Sequence, residues 1–270
     1  MLQSSPENHN QDKGFTLVEL AIVITIIGIL IGGVLKGQQL IEQARLASTV
    51  SQVHNYRTAL SIFQTKYNAV PGDMADPDDK IVGCDQCAAT NSTTHGDGYI
   101  DGTTLSASVG DGFLNNEASR FWLHLLKANM ITGVSDAALT ATDPAWGETH
   151  PAAKTGKGGF FVESATGRCT GDGNAYYRIF SPDKCQPYGQ LMVIRETFSG
   201  AFHREFNVMS IASAAQIDRK MDDGKPLSGD VRGIARGTAS RGCSGGANQT
   251  YPESLTERDV CSLGFILADI

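Results

Sequence analysis

Aromatic residues are scarce in this chain, 7 % of 270 residues. It carries no basic stripe: 22 Lys and Arg stand against 29 Asp and Glu, a formal net charge of −7. An acidic chain of this kind is a poor match for phosphate backbones, so no nucleic-acid partner is expected. No unit recurs at a period of 20–50 residues, which excludes solenoids and propellers. Nor is there a G-x-S-x-G elbow, an H-E-x-x-H helix or a phosphate-binding P-loop, and the six histidines are scattered. On these grounds no enzyme is expected. A further lack is local. Met1–Lys13 is polar throughout its length and has no apolar core, so it does not read as an ordinary secretory signal.

What is present begins immediately afterwards. From Phe15 to Leu35 every residue is apolar, small or hydroxylated except Glu19. About twenty such residues, rising 1.5 Å each in a helix, span the ~30 Å hydrocarbon core of a bilayer. An ionised carboxylate within a membrane helix costs roughly 2.5–3.5 kcal/mol on insertion scales, which makes Glu19 a functional candidate in want of a cationic partner.

The junction Lys13-Gly14-Phe15-Thr16-Leu17-Val18-Glu19, following a short polar leader, resembles the type IV prepilin family. The resemblance is strongest over residues 13–67. It implies cleavage by prepilin peptidase between Gly14 and Phe15, N-methylation of Phe15, and Glu19 as fifth residue of the mature chain. The new amine at Phe15 would lie one turn from Glu19. In a filament, the amine of an incoming subunit would pair with a neighbour's Glu19 and set the axial stagger, because an unpaired carboxylate in a low-dielectric bundle is expensive. The partners implied are prepilin peptidase, other pilin or pseudopilin subunits, an inner-membrane assembly platform and membrane lipid. The location implied is the inner membrane, single-pass, with a periplasmic head that reaches a filament or the cell surface after assembly.

Apolar positions continue past Lys36 at Leu40, Ala44, Ala47, Val50, Val53, Tyr56, Leu60, Phe63 and Tyr67, the spacing of an amphipathic helix. Phe15–Tyr67 thus predicts a helix of roughly 80 Å. Gly28, Gly32, Gly33 and Gly37 weaken its middle, each by about 1 kcal/mol against alanine, and suit either close helix approach or a stretch that melts on assembly. Asn68–Met74, with Pro71 and Gly72, stops the helix. The expected division is a leader at 1–14, a membrane half at 15–35, an amphipathic half at 36–67 and a globular head at 68–270.

In the head, a second helix is predicted across Glu117–Met130, capped by Asn115 or Asn116. Short strands are predicted at Phe160–Val162, Ala175–Phe180 and Gln190–Ile194, and a short helix within Phe206–Asp218. Asp222-Asp223-Gly224-Lys225-Pro226 is a turn signal. Trp122 and Trp146 read as packing residues, and His124, on the predicted second helix, as a core or surface residue rather than a ligand. The fold class is α+β: a long N-terminal stick helix with a small antiparallel sheet laid against it.

Six cysteines, all after the apolar run, read as disulfides in an exported head. Cys84 and Cys87 lack the βαβ setting of a redox pair and a second C-x-x-C for zinc, so a structural bridge is expected. Neighbour pairing gives Cys169 with Cys185 and Cys243 with Cys261, among fifteen connectivities that six cysteines allow. His95–Gly102 resembles a fragment of a calcium loop, making Asp97 and Asp101 candidate calcium ligands; an Asp-Gly-rich turn needs the same residues and lacks the full EF-hand set. No other cofactor is expected. The family reading is a pseudopilin or minor pilin. The alternatives are a pilus-tip adhesin or DNA-uptake minor pilin, an enzyme tethered by a prepilin-like anchor, and a plain single-pass protein left uncut at Gly14.

Overall fold

A computed structural model describes residues 16–89, 95–98, 100, 116–136, 145–164, 190–196, 208–226, 228–234, 243, 250–251 and 260–268. The chain divides into two units, Met1–Ala44 and Arg45–Ile270. Helix α1, Leu17–Tyr67, supplies the described part of the first and opens the second.

Within the first unit the helix is a bare apolar rod. Leu17 is 87 % exposed and Ile29 70 %, and the large side chains between them are likewise exposed. Its most apolar 18-residue window has a mean hydropathy of 2.6 with none of it buried. The segment is therefore long and apolar enough to cross a membrane, and it does not form the core of this chain.

In the second unit α1 buries a single stripe: Leu46, Thr49, Val53, Tyr56, Ala59, Leu60 and Phe63. From Val53 onward this is the expected face. Before Val53 it departs from expectation, since Ala47 is exposed and Leu46 and Thr49 are buried instead. The reason is angular. At 100° per residue, Ala47 lies about 120° around the helix from Val53, whereas Thr49 and Leu46 lie within about 40° of it. Asn68, left-handed at φ 49°, closes the helix, its N–H donating to the Gln64 carbonyl at 2.8 Å. A short helix α2, Pro77–Lys80, follows.

Helix α3, Glu117–Lys127, starts at Asn116, whose side chain accepts the Ser119 N–H at 2.9 Å. Its end falls three residues short of the expected Met130. Asn129 turns left-handed at φ 57°, and the Asn129 and Met130 N–H groups bond the Leu126 and Leu125 carbonyls, a Schellman closure. Met130 still packs on the core from beyond the helix, which is why periodicity includes it.

The sheet is antiparallel, β1 (Gly159–Ser164), β2 (Gln190–Arg195) and β5 (Val260–Ala268) side by side, with β3 (Met209–Ser210) and β4 (Val231–Ile234) on the far edge of β5. Helix α4, Ile211–Met221, is capped by Ser210, which accepts from Ser213 N–H. The predicted strand Ala175–Phe180 lies outside the described residues. An aromatic cluster joins the layers: Tyr56 of α1 meets Trp122 of α3 and Phe160 of β1 edge-on, ring centroids 5.0 and 5.2 Å apart. The fold is mixed α+β, a long N-terminal helix with a small antiparallel sheet. Disulfides join Cys84 to Cys87 and Cys243 to Cys261, Cα atoms 5.3 and 5.2 Å apart. Cys169 and Cys185 lie outside the described residues.

Candidate functional site

The candidate site is the start of α1. Gly14 and Phe15 lie outside the described residues, so the geometry begins at Thr16. Thr16 is the N-cap: its carbonyl accepts the first helical bond, from Leu20 N–H at 3.2 Å. Glu19, three residues on, reaches back. Its Oε2 accepts from Thr16 N–H at 2.9 Å and Thr16 Oγ–H at 2.8 Å, and its own N–H donates to Thr16 Oγ at 3.2 Å. This reciprocal arrangement is a capping box. Sequence reasoning singled out Glu19 for its charge and passed over Thr16. The signal was there, a Thr-x-x-Glu pattern opening an apolar run.

The rest of the apolar segment has little polar business of its own. Thr25 Oγ–H donates to the Ala21 carbonyl at 2.7 Å, the intrahelical way to satisfy a hydroxyl without water. A side-chain carbon added at Gly28, Gly32, Gly33 or Gly37 would meet nothing within 4 Å.

Polar residues of the head hold the fold together. Gly72, at φ 90°, packs against the Glu117 carbonyl where a side chain would collide, and its N–H donates to His124 Nδ1 at 2.9 Å. His124 Nε2 lies 3.1 Å from the Cys87 carbonyl, so the ring is a neutral tautomer that donates there. Burial pushes its pKa down to about 4. His150, fully enclosed and stacked on Phe161, is pushed down to about 3 by burial and by Arg195.

The Asp-Gly turn containing Asp97 wraps a carboxylate of the chain itself. Gly96 and Gly98 N–H groups donate to Asp73 Oδ1 and Oδ2 at 2.6 and 2.7 Å. Burial raises the Asp73 pKa against these bonds. Asp101 lies outside the described residues. A second acidic group joins Asp218, in the last turns of α4, to Asp222 and Asp223 just after it, their oxygens within 4.8 Å of one another. Each carboxylate has a structural partner. Asp218 accepts from Tyr251 Oη–H and Gly224 N–H, Asp222 from Val231 N–H, and Asp223 from Lys225 N–H and Ser228 Oγ–H. Burial lifts the Asp218 pKa to about 6.

Residues 9–35 match the family model of the prokaryotic N-terminal methylation motif. This segment is a prepilin-type signature, the one carried by type IV pilins and pseudopilins. It supports a type IV pilin-like or pseudopilin substrate of prepilin peptidase, a structural subunit that assembles with other pilin subunits. Together with the bare apolar helix it fits a membrane-anchored, single-pass protein. No curated protein and no solved structure matches the chain.

Proposed function

We propose that this chain is a pseudopilin or minor pilin of a type IV pilus-like or type II secretion filament. Prepilin peptidase cuts Gly14–Phe15, Phe15 becomes the N-methylated terminus, and the mature chain sits in the inner membrane by residues 15–35. Residues 36–67 continue the helix into a periplasmic head, 68–270. An inner-membrane platform moves the subunit from lipid into a filament whose core is made of packed helices. Glu19 receives the terminal amine of a neighbour and sets the stagger. The reading rests on one conjunction: the prepilin signature at 9–35 overlies a helical stretch, Leu17 to Leu35, whose large apolar side chains are all uncovered, and which carries a lone carboxylate in its first turn. An exposed apolar face of that length is stable only in lipid or against other helices.

The test is the Glu19→Ala variant in a strain with prepilin peptidase, read for leader removal and for sedimentable filaments. Cleavage as in the wild type and loss of most filament are expected. Wild-type filament yield from Glu19→Ala would remove the role given to this carboxylate.

A further inference from the structure

The sequence carries no basic stripe, yet the fold assembles a small basic surface on the head. Ala152 and Gly159 pair as an isolated antiparallel bridge, and the chain between them is a tight hairpin. Ala153 N–H donates to the Gly158 carbonyl at 2.9 Å and Gly156 N–H to the Ala153 carbonyl at 3.3 Å, so Lys154 and Thr155 form the corner of a turn. Gly156 and Gly158 are left-handed at φ 93° and 67°, and a side chain at Gly158 would collide with the Arg195 carbonyl. Gln52 of α1 grips the hairpin with its amide. Its Nε2 donates to the Ala152 carbonyl at 3.0 Å, and its Oε1 accepts from Lys154 N–H at 2.9 Å. About two turns earlier on α1, Arg45 lies over the same turn, its Nη1 3.5 Å from where a side chain on Gly156 would begin. Arg45, Lys154 and Lys157 are all exposed, and among the described residues none of them is in an ion pair. The backbone of Glu196 lies beside Gly158, so three cations stand here against one carboxylate.

We propose that this hairpin and Arg45 are a docking surface for anionic phospholipid headgroups, the head's own contact with the bilayer that holds its anchor. The proposal rests on the reading above, in which residues 15–35 lie in a membrane. Chain connectivity favours lipid over other anions. Arg45 opens the second unit, and only residues 36–44 separate it from the apolar run, a rise of ~15 Å as helix. The headgroup layer takes up about 5–7 Å of that span. The remainder is close to one Debye length at physiological salt, ~8 Å, so the field of an anionic surface still acts at this end of the head. Gln52 fixes the hairpin backbone, which limits the ordering that docking must impose, while the lysine stems keep the reach to meet phosphate oxygens. Each cation close to an anionic surface raises occupancy about fivefold. A subunit docked in this way is held low on the membrane, and lifting it into a filament breaks the contact.

The test places the full chain in nanodiscs of phosphatidylcholine, alone or with about 30 % phosphatidylglycerol. Acetylation of individual lysines by a neutral reagent is followed by mass spectrometry, with exposed Lys66, near the end of α1, as the reference. At about 50 mM salt, Lys154 and Lys157 should react about fivefold more slowly in the anionic discs, and at about 500 mM they should recover. Lys66 should react equally in both. Arg45→Gln should remove most of the protection from both lysines. Equal labelling of Lys154 and Lys157 in the two discs overturns the proposal. So does an equal slowing of Lys66, which would belong to the whole surface, or full protection in Arg45→Gln. Protection in phosphatidylcholine alone that grows with the number of chains per disc also overturns it, and gives the hairpin to a second copy of this chain. A chain that does not enter the discs overturns the underlying reading as well, whereas a chain retained in them with both lysines unprotected overturns this proposal alone.

Discussion

One helix, α1, treats its apolar side chains in two opposite ways. Between Leu17 and Leu35 every large one is about half exposed or more, from Ile27 at 48 % to Leu17 at 87 %. Between Leu46 and Phe63 the stripe that faces the head is covered to 7 % exposure or less. Secondary structure is the same on both sides of the division at Ala44 and Arg45. The difference is who supplies the apolar partner. The head supplies it for the second stretch; lipid or other helices must supply it for the first. Function follows from that debt, because a surface left uncovered by its own chain is the surface on which an assembly is built.

The contrast is broken most forcefully by truncating one side chain on each side of it. Phe63→Ala removes a fully buried ring that touches Tyr67 and stacks near His124, and should cost about 3–5 kcal/mol of head stability. Ile29→Ala, 70 % exposed, should leave the same unfolding transition within about 0.5 kcal/mol. Urea unfolding of the detergent-solubilised chain, followed by the fluorescence of Trp122 and Trp146, reads both. Equal costs at the two positions would mean that the head does cover the first stretch.

The bridges sharpen the contrast by locating where the head needs help. Cys243–Cys261 closes a separation of 18 residues and Cys84–Cys87 one of three. Chain-entropy reasoning gives about 3 kcal/mol for the first and about 1.5 kcal/mol for the second. Paired serine substitutions should lower the unfolding midpoint in that order, and the reverse order would show that the short loop is the more important staple.

Proton linkage should act on the head alone. His124 and His150 have pKa values lowered to about 4 and 3, so the stability they carry is full above their ordinary value of ~6.5 and is lost as pH falls through the folded values. Asp218, raised to about 6, works in the opposite sense: its contribution is present below the ordinary carboxylate range and is lost as pH rises through about 6. The histidine shifts are together the larger, so the head should be less stable at pH 4.5 than at pH 7 by about 3 kcal/mol. Asp218→Asn removes the opposing contribution and should steepen that fall. A head equally stable at both pH values would contradict the buried neutral histidines. The smallest effect is expected at Asn116, where Asn116→Ala should cost about 1 kcal/mol by leaving Ser119 N–H uncapped.

What the sequence made legible depended on the range of the interaction. The α1 periodicity, the Asn116 cap and the turn at Asp222–Pro226 are local signals, and the structure carries all three. The early part of the α1 stripe was misplaced because steps of three residues drift around the helix, and only the head selects which of two neighbouring faces it will cover. The centre of the sheet is the larger omission. Strands β4 and β5 were not marked at all, although β5 pairs with three other strands. It is buried on both faces, with Ser262 as covered as Leu263, so the alternation that announces a strand is missing. At the candidate site, Glu19 stood out as a charge among apolar residues, whereas Thr16 drew no notice because a hydroxyl at a helix start is ordinary. Its meaning comes from where its two donors point.

The measurement that bears most directly on the account is the intact mass and N-terminal sequence of the chain purified from membranes with and without prepilin peptidase. A start at methylated Phe15 that depends on the peptidase is expected, with a full-length chain in its absence. A chain that begins at Met1 in both membranes would contradict it, leaving the bare helix a plain anchor and Glu19 a carboxylate capped by Thr16 with no second partner.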